Sequence, residues 1–287
     1  MAFTIPQGLA ASCRESPEAR AWLDQLPQIV DDLRRQWSLQ LGPPFDGPEM
    51  TASWVAPARR SDGSPAILKV PMPHMEADHE IEGLRFWDGS PTVELLEADD
   101  ALGAMLLESC RPGTSLRSQP EVEQDVIIAR LLRRMWRVPP PPHPFRPLKE
   151  MIDLWIAETR SNEARWHDAR LVRNGLRTFE ELARSDEGVV LLATDLHAGN
   201  VLQAEREPWL VIDPKPFIGD PAYDATQHLL NCESRMVHEP IATIASFADR
   251  LHVDGERVRL WLFARTAAEN RDDWEDSWTA MARLLSG

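Results

Sequence analysis

Leu191-Leu192-Ala193-Thr194-Asp195-Leu196-His197-Ala198-Gly199-Asn200-Val201-Leu202 sets a carboxylate and a carboxamide five positions apart on a loop between apolar runs. A second apolar strand, Trp209 to Ile212, then ends in Asp213-Pro214. Phosphoryl transfer needs an Asp to orient the acceptor hydroxyl and take its proton, and an Asn and a further Asp to hold Mg²⁺ against the nucleotide phosphates. Each piece alone has an ordinary explanation, because Asp and Asn are common in loops and Asp-Pro ends many strands. The order Asp, four residues, Asn, strand, Asp is what selects a kinase catalytic loop. Asp195 therefore reads as the catalytic base, and Asn200 and Asp213 as metal ligands, with ATP and Mg²⁺ as the cofactors.

Upstream, Ile67-Leu68-Lys69-Val70 puts one cation in an apolar strand, where an unpaired ammonium is costly to bury. Glu80, on the following helix, is the expected partner, in the pair kinases use to hold the α- and β-phosphates; Glu76 and Glu82 compete with it. The strand ending Leu106-Leu107-Glu108-Ser109-Cys110 fits a hinge whose backbone at Glu108 and Cys110 meets adenine. No GxGxxG string precedes Lys69, so Pro48-Glu49-Met50-Thr51-Ala52-Ser53 must cover the phosphates with backbone N–H groups and the hydroxyls of Thr51 and Ser53. Lys215 either neutralises phosphate charge or is an exposed loop lysine. Asp220 and Asp224 either tie down the catalytic loop or face the substrate, and His197 reads as a loop brace rather than a metal ligand.

Around these residues the pattern is α+β. Ser16-Pro17-Glu18 opens an amphipathic helix through Trp37, with Pro27 as a candidate break. Strands Thr51 to Ala56 and Ala66 to Val70 flank the turn Ser61-Asp62-Gly63-Ser64, a helix runs from Glu76 to Trp87, and strands follow at Thr92 to Leu96 and Ala104 to Glu108. Beyond Arg111-Pro112-Gly113 the chain turns helical, over Glu121 to Val138, Leu148 to about Asp168, Leu171 to Arg184, and from Tyr223 onward. The division this gives is a small β-rich lobe, 1–110, and a larger helical lobe, 111–287.

Lys plus Arg of 31 against Asp plus Glu of 46 leaves a net charge of −15, which repels nucleic acid phosphates and anionic lipid and suits a cationic partner. No apolar run approaches the ~20 residues that cross a bilayer, and the N-terminus lacks the pattern of a secretory signal. Three widely spaced cysteines, Cys13, Cys110 and Cys232, give no zinc signature and suit a reducing cytoplasm. Nothing in the pattern implies an oligomer.

Asp195-Leu196-His197-Ala198-Gly199-Asn200, with Val211-Ile212-Asp213-Pro214-Lys215-Pro216 and Gly219-Asp220-Pro221-Ala222-Tyr223-Asp224, resembles the aminoglycoside/hydroxyurea resistance kinases, and within them the streptomycin 6-phosphotransferases. The resemblance extends to Thr51-Ala52-Ser53-Trp54-Val55, Ile67 to Val70, His79-Glu80 and Arg111-Pro112-Gly113, nearly the whole chain. It implies a two-lobed protein-kinase-like fold and ATP-dependent phosphorylation of a hydroxyl on an antibiotic or a similar small polyol. The chain departs from that family where relatives carry His-Gly before the catalytic Asp: here Ala193 and Thr194 stand there, and a turn needing φ > 0 would resist a Thr. Three other readings stand beside this one: a sugar or metabolite kinase, a nucleotide-sensing pseudokinase, and a metal-dependent hydrolase built on Asp195-Leu196-His197. The joint presence of Lys69, Glu80, Asp195, Asn200 and Asp213 argues against the pseudokinase, and the lack of HExxH or a cysteine ligand set against the hydrolase.

Overall fold

The computed structural model of the chain describes residues 3–14, 16–47, 51–185, 188–271, 274 and 277–287. A short helix not anticipated from sequence, α1 (Gln7–Ser12), precedes the long α2 (Pro17–Gln36). The Ser16 hydroxyl accepts the Ala19 N–H at 3.0 Å, and Pro17 fills a first-turn position where no amide partner is needed. Pro27 does not break α2. It lies on the exposed side, so the carbonyl that loses its hydrogen bond faces water rather than the core.

The sheet that follows is antiparallel, in the order β1 (Gln40–Leu41), β2 (Ser53–Arg59), β3 (Pro65–Pro71), β5 (Ala104–Glu108), β4 (Leu95–Asp99). Asp62 closes the β2–β3 turn by accepting the Ser64 N–H at 2.8 Å and its hydroxyl at 2.6 Å. Strand periodicity sends Ala66, Leu68 and Val70 into one core with Trp22, Leu26 and Val30 of α2. Ile67 joins the opposite core with Ile81, Leu84, Met105, Leu107 and Leu210. Lys69, in phase with Ile67, therefore faces α3 (Glu80–Trp87). That helix begins later than Glu76 because the 3₁₀ turn Met75–Ala77 is followed by His79 at φ 67°, which breaks the helical ladder.

The chain divides into two compact units, Met1–Thr114 with Leu202–Lys215, and Ser115–Val201 with Pro216–Gly287. These differ from the sequence division 1–110 and 111–287 in two respects. The cut falls after Thr114, and 202–215 return to the first unit. There the Gly113 N–H donates to Gln203 O at 3.0 Å, Gln203 N–H to Thr114 O at 2.9 Å, and Leu210 is fully buried in the sheet's second core. A return of this kind leaves no local mark in the sequence.

The second unit holds α4 (Glu121–Met135), α5 (Leu148–Ser161), α6 (Ala169–Leu182), α7 (Pro221–Leu230), α8 (Glu233–His238), α9 (Pro240–Leu251), α10 (Gly255–Ala268) and α11 (Ser277–Leu285). The α10 helix is its centre: Trp261 is wholly buried and packs its ring against Phe179 of α6 and Tyr223 of α7, at 6.3 and 5.2 Å. Strand Val190–Leu192, which leads into the loop that carries Asp195 and Asn200, pairs with Phe217–Gly219. No helix among the described residues is long and apolar enough to cross a membrane.

Candidate active site

In the first unit four charged side chains are joined to one another. Lys69 Nζ donates to both Glu80 oxygens at 2.6 Å and to Asp213, and Lys215 donates to Asp213 Oδ1 at 2.7 Å. Glu80 is thus the partner of Lys69. Glu82 instead lies beside His79 at 3.8 Å, and the Glu76 side chain is outside the described residues. Lys215 is buried, so the exposed-loop alternative does not hold. Burial pushes the Glu80 carboxyl up, against the pull of Lys69. At Asp213 burial also opposes ionisation, but the Lys69 and Lys215 ammonium groups outweigh it and hold the carboxyl well below the usual range.

Ser53 is buried at the start of β2 and Thr51 is exposed just before it, while Pro48, Glu49 and Met50 of the expected phosphate-covering loop lie outside the described residues. The Glu108 carboxylate is engaged by Arg206 Nη2 at 2.8 Å and by the Glu94 N–H at 3.0 Å, and the Glu108 N–H donates to Glu94 O. Cys110 is half-buried, and burial pushes its thiol up to about 11. Arg206, which also donates to the Gly89 and Thr92 carbonyls, was not legible in sequence because its partners are about a hundred residues away.

In the second unit the loop from Ala193 to Asn200 is tied at both ends. Asp224, on α7 and fully enclosed, accepts the Ala193 N–H at 3.0 Å, the Thr194 N–H at 2.7 Å and Trp136 Nε1 at 2.8 Å. Burial pushes its carboxyl up to about 6, while these three donors pull it down and Asp220 pushes it further up. Thr194 sits at φ 48°, so the turn does require the left-handed region, and a β-branched residue occupies it at a cost of roughly 1–2 kcal/mol. The Asp224 grip on the Ala193 and Thr194 amides is what holds it there.

Past the turn, Asn200 Nδ2 donates to the Asp195 carbonyl at 3.0 Å and approaches Oδ2 at 3.4 Å, while Gln227 Nε2 donates to Asp195 Oδ1 at 2.7 Å. His197 Nδ1 accepts the Gly199 N–H at 3.0 Å, which makes it the loop brace expected, and Gly199 is required because a Cβ would lie 2.6 Å from the His197 ring. Asp220 caps α7 through the Ala222 N–H and also holds Arg257 and Trp261 Nε1, the latter at 2.7 Å. Asp220 and Asp224, the two acids left open between bracing and substrate contact, are thus both engaged in bracing. A further buried trio, Asp125, His228 and Cys232, is close enough to hold a metal ion. Arg235 already occupies both Asp125 oxygens, at 3.1 and 2.8 Å, and burial pushes the Cys232 thiol up to about 12, so Asp125 is engaged in an ion pair while His228 Nδ1 is left buried without a hydrogen-bond partner.

The sheet and helices give a protein-kinase-like fold, and the relatives make the chain an ATP-dependent small-molecule O-phosphotransferase of that fold. Choline kinase LicA from Streptococcus pneumoniae shares that fold, with a TM-score of 0.61 at 16% identity, covering 91% of this chain and 98% of that one. The chain belongs to the aminoglycoside/hydroxyurea antibiotic resistance kinase family, whose sequence model matches residues 37–274. Streptomycin 6-kinase of Streptomyces griseus is 34% identical over 290 residues, covering 97% of this chain and 93% of that protein. Hydroxyurea phosphotransferase of Kitasatospora aureofaciens is 35% identical over 271 residues, covering 91% and 77%.

Proposed function

We propose that the protein transfers the γ-phosphoryl group of Mg²⁺-bound ATP to a hydroxyl of an aminoglycoside, with streptomycin as the foremost acceptor. The observation that carries this reading is the catalytic loop, in which Asp195 and Asn200 are fixed by hydrogen bonds that leave them suited to their two roles. The acceptor oxygen bonds to the γ-phosphorus, the bond from that phosphorus to the β–γ bridging oxygen breaks, ADP leaves with the electron pair, and the hydroxyl proton passes to the Asp195 carboxylate.

Asn200 spends its amide nitrogen on the Asp195 carbonyl, which leaves Oδ1, a hard neutral oxygen that fits Mg²⁺. Asp213, kept ionised by two lysines, is the second proposed ligand. Bound Mg²⁺ supplies neutralisation of phosphate charge. Lys69, fixed by Glu80, and Lys215 offer cations to the phosphates; Thr51 and Ser53 offer hydroxyls, and the backbone of Glu108 and Cys110 is assigned to adenine. The net charge of −15 favours a polycationic acceptor, and free thiols at Cys13, Cys110 and Cys232 accord with a cytoplasmic setting.

An ATP-consumption screen over aminoglycosides, hydroxyurea and amino sugars, with the product located by ³¹P NMR, tests the reading. Streptomycin should be turned over, with an apparent affinity that falls as ionic strength rises. Silence across the panel with ATP still bound would transfer the protein to the pseudokinase reading, and a salt-independent affinity would remove the argument from charge.

A further inference from the structure

The α7 helix touches the catalytic loop twice. Asp224 holds the loop backbone, and Gln227, three residues on and so on the same face, holds the side chain of Asp195. The orientation of the Gln227 amide follows from chemistry. Arg265 Nη1 lies 3.0 Å from Gln227 Oε1, and a guanidinium has donors only, so the carbonyl oxygen must face Arg265 and the NH₂ must face Asp195.

Arg265 is itself immobile. It is buried, its Nε donates to Glu269 at 2.8 Å, and Nη1 also donates to the Thr226 hydroxyl at 2.9 Å. The guanidinium further stands over the Tyr223 and Trp155 rings, at 5.5 and 5.6 Å. The order Glu269, Arg265, Gln227, Asp195 is therefore a continuous hydrogen-bonded chain. A guanidinium placed directly on Asp195 would take the carboxylate as a bidentate ion pair and spend it. The interposed amide transmits the fixed position through a single neutral hydrogen bond.

We infer that Gln227 is a positioning residue for the base, fixing the rotation of the Asp195 carboxylate through an amide whose own orientation Arg265 enforces. The inference rests on the reading of Asp195 as the base, and it extends the machinery to a residue outside the catalytic-loop string.

The test compares Gln227→Met and Gln227→Glu with the parent and with Asp195→Asn, measuring kcat, acceptor KM, ATP affinity and Tm. Met keeps the length and removes the donor. Glu keeps the shape, turns a donor into an acceptor facing Asp195, and gains a direct ion pair with Arg265. Both should lower kcat about 10- to 100-fold, with KM and ATP affinity within about twofold. In the Glu variant that loss should come with an unchanged or raised Tm, a split that a packing role would not produce. Parent-like kcat in either folded variant, while Asp195→Asn has lost turnover, would overturn the positioning role alone. Surviving turnover in Asp195→Asn would overturn the base assignment, and this inference with it.

Discussion

Two constellations hold the residues assigned to chemistry, and they are built on opposite principles. In the first unit Lys69, Glu80, Asp213 and Lys215 are all charged, and each is fixed by a charge of opposite sign. In the second unit Asp195 is held by the neutral amides of Gln227 and Asn200, and Asp224 holds the loop through two backbone N–H groups while accepting an indole N–H. A site that must receive polyphosphate benefits from ammonium groups already dehydrated and aimed, and the buried acids are what make that tolerable. On the proposed reading Asp195 is a base that must keep its charge for the proton, and the neutral amides of Gln227 and Asn200 orient it without consuming that charge. The first constellation is therefore sensitive to losing a charge, the second to losing a direction.

The largest effect tests the second half. Asp195→Asn keeps the shape and the hydrogen bonds to Gln227 and Asn200 on one side but removes the proton sink, so turnover should fall by ~10² to 10⁴ while ATP affinity survives. Near-normal turnover in folded, ATP-binding protein would sink the catalytic assignment. Next in size is Lys69→Met, which leaves the buried Glu80 uncompensated and should cost about 3–5 kcal/mol of stability along with at least a tenfold loss of nucleotide affinity. Adding Glu80→Gln should restore much of the stability and none of the affinity, read by urea denaturation and calorimetric titration. Recovery of both together would reduce the pair to a structural strut.

A pH series gives a smaller and more selective effect. Asp224 binds its proton more tightly in the fold, with a pKa of about 6 against an ordinary 3.8. Between those values the folded chain holds the extra proton. The contribution of this group to stability therefore grows as pH falls from 6 toward 4, and the buried charge costs stability above 6. Protonation nonetheless removes an acceptor from the three N–H donors at Asp224. Turnover should then decline about tenfold per pH unit below 6 with no accompanying loss of Tm from this group, and Asp224→Asn should flatten that limb. A limb that persists unchanged in Asp224→Asn assigns it elsewhere. The smallest effect is at the strained turn: Thr194→Gly should stabilise the protein by roughly 0.5–1 kcal/mol, because relief of positive φ exceeds the added chain entropy of glycine. A lower denaturation midpoint in that variant would show that the Thr194 side chain contributes more than its backbone costs.

How legible each part was follows from distance along the chain. The hairpin of β2 and β3 was readable because Asp62-Gly63 turns the chain locally and the flanking strands alternate. The hydrogen-bonded loop of Asp195, His197 and Asn200 was readable because these residues lie within six consecutive positions. Glu80 was readable as the partner of Lys69, but the helix start was not: the pattern placed it at Glu76, and His79 at φ 67° shifts it to Glu80. Gln227 and Arg265 carry no local mark: Gln227 reaches Asp195 from α7, and Arg265 reaches Gln227 because α10 packs against α7.

The sequence by itself determined the chemistry on offer: which side chains carry charge, which stand in the order phosphoryl transfer needs, and that strands precede helices. Spacing within a loop and periodicity within an element are short-range properties, and a linear string records them fully. The tertiary structure decided the assignments among equals. It bound Lys69 to Glu80, turned Asp220 and Asp224 into braces, returned 202–215 to the first unit, and kept Thr194 at positive φ. Each of those outcomes is set by contacts between residues far apart in the chain or by the phase of a helix, and burial makes such contacts costly to leave unsatisfied.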